Sequence, residues 1–253
     1  MRRLLLALAL LFAAVLPVAG EQLVSQVSRD VVAITSSFQG ETLTVFGTVE
    51  PLSGSNERLE GPYHVIVTVT GPLQNRVARR KSNLFGVWLN TEQVTFEGVP
   101  SIYQVLSDTW IDSISDPITL AELAIPLERQ VRYAADDAGW WDSLAFGNEL
   151  VRLMTENGNF LRNEQGVQFR SDTFYFGQVV LPSDAVPGPY LVRTYLFKDG
   201  ALVAQKSDGF TVRKIGFERF LGTAARQQPL LYGIVCVVLS LFTGWLGGVV
   251  FRR

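Results

Sequence analysis

Cysteine, histidine and methionine are scarce in this sequence. The single cysteine, Cys236, lies in an apolar segment near the C-terminus, the single histidine is His64, and Met154 is the only methionine besides Met1. A chain with one cysteine cannot form an internal disulfide, so an ordinary hydrophobic core must stabilise the fold. Zinc and copper sites need clustered Cys, His or Met side chains, so the composition excludes them, and we expect no cofactor.

The signatures of common hydrolases are also missing. No G-x-S-x-G nucleophile motif occurs, and His64 lies in a predicted strand beside no recognisable nucleophile. The remaining candidates are acidic: Asp108, Asp112 and Asp116 at four-residue spacing, and Asp136, Asp137 and Asp142 around Trp140 and Trp141. They could bind calcium, or act as acid and base beside a sugar-stacking tryptophan, but carboxylates without EF-hand spacing more often cap helices or lie in solvated loops. We therefore predict no catalytic residue and no metal site.

A long apolar run is missing from the middle of the chain, whereas both ends have one. Arg2 and Arg3 precede an uncharged segment that ends at Leu16, and small residues follow before Glu21. These are the three parts of a secretory signal peptide over residues 1–20, cleaved before Glu21 or one residue earlier. An uncleaved N-terminal anchor is the alternative, although the run is short for crossing a membrane.

The C-terminal run, residues 229–251, contains no charged residue and would form a helix of roughly 35 Å. That length crosses a hydrocarbon core of about 30 Å, with Tyr232 and Trp245 near the two interfaces. Residues 252–253 are both arginine, and a positive tail stays on the cytoplasmic side. With export of the N-terminus, this predicts a single-pass protein whose folded domain, residues 21–215, lies outside the cytoplasm.

Small side chains recur every four residues along the predicted membrane helix, at Cys236, Ser240, Gly244 and Gly248. This spacing places them in one narrow stripe. Small faces let helices approach closely in lipid, so the stripe predicts packing against an integral membrane protein or a second copy of the chain. Glycine is common in membrane helices generally, and a plain anchor is the alternative.

Basic residues are outnumbered in the exported part, where 18 remain against 24 acidic residues and leave a net charge of about −6. Nucleic acid is therefore excluded as a partner. One basic stretch stands out, and two aromatic residues follow it: Arg76, Arg79, Arg80 and Lys81, then Phe85 and Trp88. We predict that these residues contact membrane lipid or an acidic partner surface. An exposed strand or turn without a partner is the alternative.

Short β-forming runs separated by turn residues occupy most of the exported part. The predicted strands span residues 30–35, 42–49, 63–70, 84–89, 93–97, 101–107, 173–181 and 191–197. Gly71 and Pro72 are predicted to end one strand, and Asp199-Gly200 predicts a two-residue hairpin turn. Immunoglobulin-like sandwiches often end in a tyrosine entering a strand, a hairpin and a final strand, so we predict a mainly β, immunoglobulin-like β-sandwich.

The pattern becomes helical between about residues 116 and 160. One predicted helix face contains Trp141, Leu144, Val151 and Met154, and Asn157 with Gly158 ends that helix. A shorter helix, interrupted by Pro126, is predicted over residues 120–128. We expect a helical insertion in one sandwich-like unit; two small β domains joined by the helices are the alternative. A juxtamembrane helix over residues 216–228 is predicted to continue into the membrane helix.

Three stretches form a recognisable set: VAITSSF over residues 32–38, RRK with FGVWLNTE over 79–92, and VRKIGFER with QPLLYG over 212–233. In this order they resemble an uncharacterised family of alphaproteobacterial single-span transmembrane proteins. The resemblance covers nearly the whole mature chain. It implies the single-span topology and a location in the cell envelope of a Gram-negative bacterium, and it suggests a membrane partner similar to sulfite or organosulfonate exporters. It supplies no catalytic residue, because the family has no established activity.

The resulting hypothesis is a noncatalytic, membrane-anchored periplasmic accessory or interaction protein. One alternative is a membrane-tethered carbohydrate-active hydrolase or binding protein that uses the acidic residues near Trp140 and Trp141. Another is a solute-binding subunit of a transporter, which would need a pocket in the exported domain.

Overall fold

The computed structural model describes residues 21–35, 37–51, 61–133 and 140–250. The strands are β1 (Glu21–Val27), β2 (Val31–Ile34), β3 (Glu41–Pro51), β4 (Tyr63–Thr70), β5 (Leu73–Leu84), β6 (Val87–Pro100), β7 (Tyr103–Ser107), β8 (Arg132–Tyr133), β9 (Phe160–Asn163), β10 (Val167–Phe169), β11 (Phe174–Leu181), β12 (Gly188–Lys198) and β13 (Ala201–Lys214). The helices are α1 (Ile111–Ile114), α2 (Pro117–Glu122), α3 (Trp140–Glu156), α4 (Phe217–Gln227) and α5 (Pro229–Val250), and Leu127–Gln130 forms a 3₁₀ turn. The predicted signal peptide and tail lie outside the described residues.

Two β-sheets share one hydrophobic core. The first has the strand order β1-β3-β11-β10, and the second has the order β2-β13-β12-β4-β7-β9. β3 pairs with β11, and β4 pairs with both β7 and β12, so strands from either side of the helical segment are neighbours in each sheet. A third sheet, β5-β6-β8, consists of a long hairpin and one short strand. The prediction of a mainly β fold is confirmed.

β3 shows how the sequence pattern builds this core. Leu43, Val45 and Val49 are at most 2% exposed, whereas the alternating residues Thr44, Phe46 and Thr48 are half-buried. Val67 from β4 and Leu196 from β12 pack in the same core from the opposite sheet. The alternation fixes the register, because a one-residue slip would turn the whole apolar set to solvent.

Gly47 in β3 lies at a point where neighbouring strands leave no room for a side chain. A Cβ atom there would lie 2.2 Å from the carbonyl oxygen of Val24 in β1 and 2.4 Å from the hydroxyl oxygen of Tyr175 in β11. Tyr175 is 0% exposed and cannot move away without disturbing the core. Glycine at this position is therefore a packing requirement.

The second sheet is apolar on both faces because the helical segment covers its outer face. Ile66, Tyr195 and Phe197 belong to a second core on the side away from the first sheet. Phe146 and Met154 from α3 pack into this core, together with residues of α1, α2 and the base of the β5–β6 hairpin. The β4 strand is therefore buried almost throughout, unlike a strand with one solvated face.

The structure corrects one predicted strand and the bounds of one predicted helix. Residues 84–89, predicted as a strand, contain a hairpin turn at Phe85-Gly86. Gly71-Pro72 ends β4 after Thr70 as predicted, although the amide of Gly71 and the carbonyl of Pro72 still bond to the returning strand. The helix predicted over residues 120–128 with an interruption at Pro126 is found as two shorter pieces, α2 and the 3₁₀ turn, because Ala124 has a φ of 52° and Pro126 cannot continue a helix.

The Asp199-Gly200 hairpin turn is confirmed. Lys198 pairs with Ala201, and the two residues between them have φ values of 51° and 83°. Positive φ at both central positions is the requirement of a type I′ turn, which Asp-Gly satisfies with little strain.

The C-terminal segment forms two helices instead of the predicted continuous one. Gln228 has φ −137° and ψ 64°, outside the helical region, because the following Pro229 disfavours helical backbone at the residue before it. α5 has 22 residues and no buried residue, and it is the one helix in the described part of the chain that is long and apolar enough to cross a membrane. The structure does not describe the side chains of residues 217–220.

Candidate functional site

The predicted contact residues lie on a hairpin that extends the second sheet beyond the sandwich. The ladder between β4 and β7 continues into β5 and β6, since the amide of Gly71 donates to the carbonyl of Ile102 and the amide of Ser101 donates to the carbonyl of Pro72, each at 2.8 Å. Leu73 then pairs with Pro100, and the pairing runs on to the turn with two irregularities. The hairpin is therefore a continuous projection and not a separate loop.

The base and the tip of this hairpin differ sharply in burial. At the base, Val94, Phe96 and Val99 are at most 4% exposed, and they pack in the second core. At the tip, every large apolar side chain is exposed: Leu84 by 46%, Phe85 by 104%, Val87 by 57%, Trp88 by 67% and Leu89 by 48%. We call these five residues the apolar tip. The fold holds the base of the hairpin firmly and leaves its apolar tip in solvent.

Phe85 has a backbone conformation that its residue type disfavours. Phe85 and Gly86 have φ values of 52° and 84°, nearly the same as the values at Asp199-Gly200. The two turns therefore favour the same residue types at their two central positions, with Asn or Asp before the glycine. A bulky residue at positive φ is uncommon, and here its ring makes no compensating burial. Neither the turn geometry nor burial within the chain accounts for phenylalanine at this position.

The four basic residues of the predicted site divide into two groups. Arg79 and Lys81 are exposed on β5, between the base and the apolar tip. Arg80 donates to Glu92 at 2.8 Å and its guanidinium lies 4.9 Å from the ring centre of Phe146, so it joins the hairpin to α3. Arg76 is half-buried near the base. Arg79 and Lys81 are thus the basic residues available to a partner of the tip.

Phe85 and Trp88 were predicted as contact residues from the sequence, whereas Leu84, Val87 and Leu89 were not. A signal was present, because an apolar run broken by a single glycine can be a hairpin tip as well as a strand. The deciding feature is the glycine, since Gly86 provides one of the two positive φ positions.

The small-residue stripe lies on α5. Cys236, Ser240, Gly244 and Gly248 are all exposed, and the Ser240 hydroxyl donates to the carbonyl of Cys236 at 2.8 Å. Ser240 therefore satisfies its polar group within the helix, and the stripe stays available for packing against another helix.

The acidic residues at four-residue spacing have different hydrogen-bond partners. Asp108 accepts from the amide of Val65 at 2.8 Å and contacts the His64 ring at 2.8 Å, whereas Asp112 accepts from Arg162 at 2.9 Å. Asp116 caps α2, and hydrogen bonds from the side chain and backbone of Thr119 hold the pKa of its carboxyl below the ordinary value. Each of these carboxylates has its own structural role.

Two further observations concern the acidic candidates. Asp108 and Asp112 line an open cavity of about 530 Å³ beside Trp110, which is 69% exposed. Asp136 and Asp137 lie outside the described residues, as do the side chains of Trp140, Trp141 and Asp142. Within the described ranges, no group of three or more His, Cys, Asp or Glu side chains could hold a metal ion.

The fold and α5 together define a mainly β protein with one candidate membrane helix. The chain belongs to the family described as "Putative transmembrane protein (Alph_Pro_TM)", whose model matches residues 22–253. The family and the apolar helix support a membrane location for this protein. The resemblance to a family of transmembrane proteins, which was noted in the sequence, is therefore confirmed.

The other comparisons add little. No curated protein matches the chain. Among solved structures, the chain is similar to AggA, the major subunit of aggregative adherence fimbriae type I from Escherichia coli, at 11% identity. The match covers 78% of this chain and 96% of that one with a TM-score of 0.30, a similarity that carries no argument about fold or function.

Proposed function

We propose that this chain is a membrane-anchored accessory protein whose β domain binds another component of the cell envelope through the β5–β6 hairpin. The observation that carries the proposal is the apolar tip, in which five large apolar side chains are exposed on a well-anchored hairpin. A contiguous exposed apolar patch of this kind marks an interaction site, because exposing it to water is unfavourable. Arg79 and Lys81 add positive charge beside it.

The proposed topology places the β domain in the periplasm. Residues 1–20 serve as signal peptide, residues 21–215 form the exported domain with its helical insertion, and residues 216–228 connect it to the membrane. Residues 229–251 cross the inner membrane, and the arginines 252–253 stay in the cytoplasm. The apolar run of α5 and the charge asymmetry of the two ends support this arrangement.

We assign the exported domain to the immunoglobulin-like β-sandwiches as part of this proposal. The order β1-β3-β11-β10 corresponds to strands A-B-E-D, and the order β13-β12-β4-β7 corresponds to G-F-C-C′. Near the start of β12, the hydroxyl of Tyr190 donates to the carbonyl of Val186 at 3.0 Å, the pattern of a tyrosine corner. The fold alone does not define a function, so the binding role is argued from the hairpin.

The membrane helix supplies a second proposed contact. The stripe of Cys236, Ser240, Gly244 and Gly248 packs against a helix of an integral membrane protein, for which a sulfite-exporter-like transporter is one candidate, or against a second copy of this chain. Its exposed position on α5 supports this packing. This packing places the β domain beside the membrane partner, where the β5–β6 hairpin contacts another component of the cell envelope.

A photocrosslinking experiment tests the binding role. A benzophenone amino acid is placed at Phe85 of the full chain in native membranes, and a matched control carries it at Val180 of β11, an exposed apolar position on the sandwich. We expect crosslinked adducts, identified by mass spectrometry, from position 85 and not from position 180. Absence of any protein or lipid adduct at position 85 would contradict the proposal.

One observation favours a second candidate function, saccharide binding. Trp110 is exposed at the rim of the cavity that Asp108, Asp112 and Arg162 line, and an aromatic face beside polar groups can stack on a sugar ring. Titration with chito-oligosaccharides, monitored by tryptophan fluorescence, should show saturable binding that Trp110→Ala removes. Unchanged fluorescence over millimolar concentrations would exclude this candidate for such sugars.

A further inference from the structure

The hairpin and the membrane anchor leave the sandwich from the same end. Thr70, the last residue of β4, pairs with Leu191 near the start of β12, and Gly188 at that start pairs with Val212 near the end of β13. The β4–β7 ladder therefore continues into the hairpin at the end of the sheet from which β13 leads to α4 and α5. The bilayer is thus the nearest large structure beyond this end.

The hairpin is long enough to reach that bilayer. Beyond its packed base, β5 continues from Arg79 to Leu84, and these six residues span about 20 Å when extended. α4, which separates β13 from the membrane helix, has 11 residues and spans about 16 Å. Reach is therefore available even if the hairpin leans away from the membrane normal.

The apolar tip carries large apolar side chains on both faces of the hairpin. This arrangement fits insertion into lipid better than binding in a groove of a partner protein. Leu84 pairs with Val87 and shares a face with Leu89, whereas Trp88 pairs with Asn83 and lies on the opposite face. A groove on a partner protein would cover one face of a two-stranded ribbon. A lipid layer surrounds an inserted tip on every side.

The arrangement of residue types matches the layers of a membrane interface. Phe85 is outermost, Trp88 follows, and tryptophan favours the interface where its ring is apolar and its N–H meets polar groups. Lys81 lies four residues behind Phe85, about 13 Å along the strand, so an ammonium group stands near the lipid phosphates when the tip is inserted. Arg79 extends the same positive charge further from the tip.

We infer that the apolar tip inserts into the headgroup and upper acyl region of the same bilayer that α5 crosses, with Arg79 and Lys81 facing anionic lipid headgroups. This inference rests on the proposed function, and it names lipid as what the hairpin binds. Two attachments on one domain, the anchor helix and the tip, fix its orientation on the membrane, whereas a single helix would let it rotate.

Site-specific fluorescence in vesicles tests the inference. The full chain carries Phe85→Cys in a Cys236→Ala background, is labelled with NBD, and is reconstituted into phosphatidylethanolamine vesicles containing phosphatidylglycerol. Lipids brominated in the upper acyl chain should quench the label about twofold or more, as expected for a side chain in the acyl boundary. The control label at Val180→Cys should not be quenched. Equal, weak quenching at both positions overturns the inference.

Two additional arms separate the possible outcomes. Arg79→Glu with Lys81→Glu should reduce the quenching in these vesicles and have little effect in neutral phosphatidylcholine vesicles. No change in the anionic vesicles contradicts the role of the basic pair.

If the label is not quenched but the crosslinker at position 85 captures a protein in native membranes, the lipid inference fails and the proposed function stands. If it captures neither lipid nor protein, both fail.

Discussion

Replacing Phe85 with asparagine should separate the stability of the hairpin from its binding. The substitution creates Asn-Gly at a turn whose φ values are 52° and 84°, the favoured pair for this geometry. Left-handed backbone costs an ordinary residue roughly 1–2 kcal/mol, and asparagine tolerates it much better. The Phe85 ring has no buried contact to lose, being 104% exposed. We expect Phe85→Asn to raise the free energy of unfolding by about 1 kcal/mol and Tm by about 2–4 °C.

The assay is thermal unfolding of the detergent-solubilised full chain, followed by circular dichroism. Asp199→Phe provides the matched control, because it places the same bulky residue into a turn of the same geometry, and Tm should fall by a similar amount. In native membranes, a crosslinker at Trp88 should give fewer adducts in the Phe85→Asn background. A fall in Tm of several degrees for Phe85→Asn would refute the argument, since the ring would then stabilise the fold itself.

Three further predictions concern the core and the membrane helix. Gly47→Ala should destabilise the chain by about 3 kcal/mol in chemical unfolding, whereas Thr48→Ala on the other face of β3 should cost much less. Tyr103→Phe should cost about 1 kcal/mol at neutral pH, because the hydroxyl donates to two backbone carbonyls. Burial raises the pKa of Tyr103, so the folded state holds the phenol proton more tightly than the unfolded state does. The free energy of unfolding should therefore fall as the pH rises above about 10, and Tyr103→Phe should lose less of it over that range. Gly244→Leu with Gly248→Leu should weaken association measured in membranes by crosslinking, and unchanged association would remove the packing hypothesis.

The sequence predicted elements well where one local rule decided the structure. Asp199-Gly200 is an example, because few other conformations suit that pair between two β-forming runs. Phe85-Gly86 adopts the same turn and was missed, since an apolar residue in the first position looks like part of a strand. The fold there depends on the pairing of β5 with β6, which extends a ladder begun at β4, and no local signal reports that extension.

The candidate site could be predicted only in part. The composition of residues 76–88, basic and then apolar, led to the prediction of a contact surface, and the structure places these residues on one hairpin. It could not show that Arg80 pairs with Glu92 and lies over Phe146, because the latter contact depends on a helix much later in the chain. For the same reason, the hydrogen-bond partners of Asp108, Asp112 and Asp116 could be identified only from the structure. Each of these carboxylates bonds to a different strand or helix.

The central claim is that α5 crosses a bilayer and holds the β domain on its outer side. Protease added to intact spheroplasts tests it directly, with an antibody against the β domain as the readout. The account predicts that the β domain is degraded in intact spheroplasts while a cytoplasmic marker stays whole. Full protection of the β domain until the spheroplasts are lysed would contradict it.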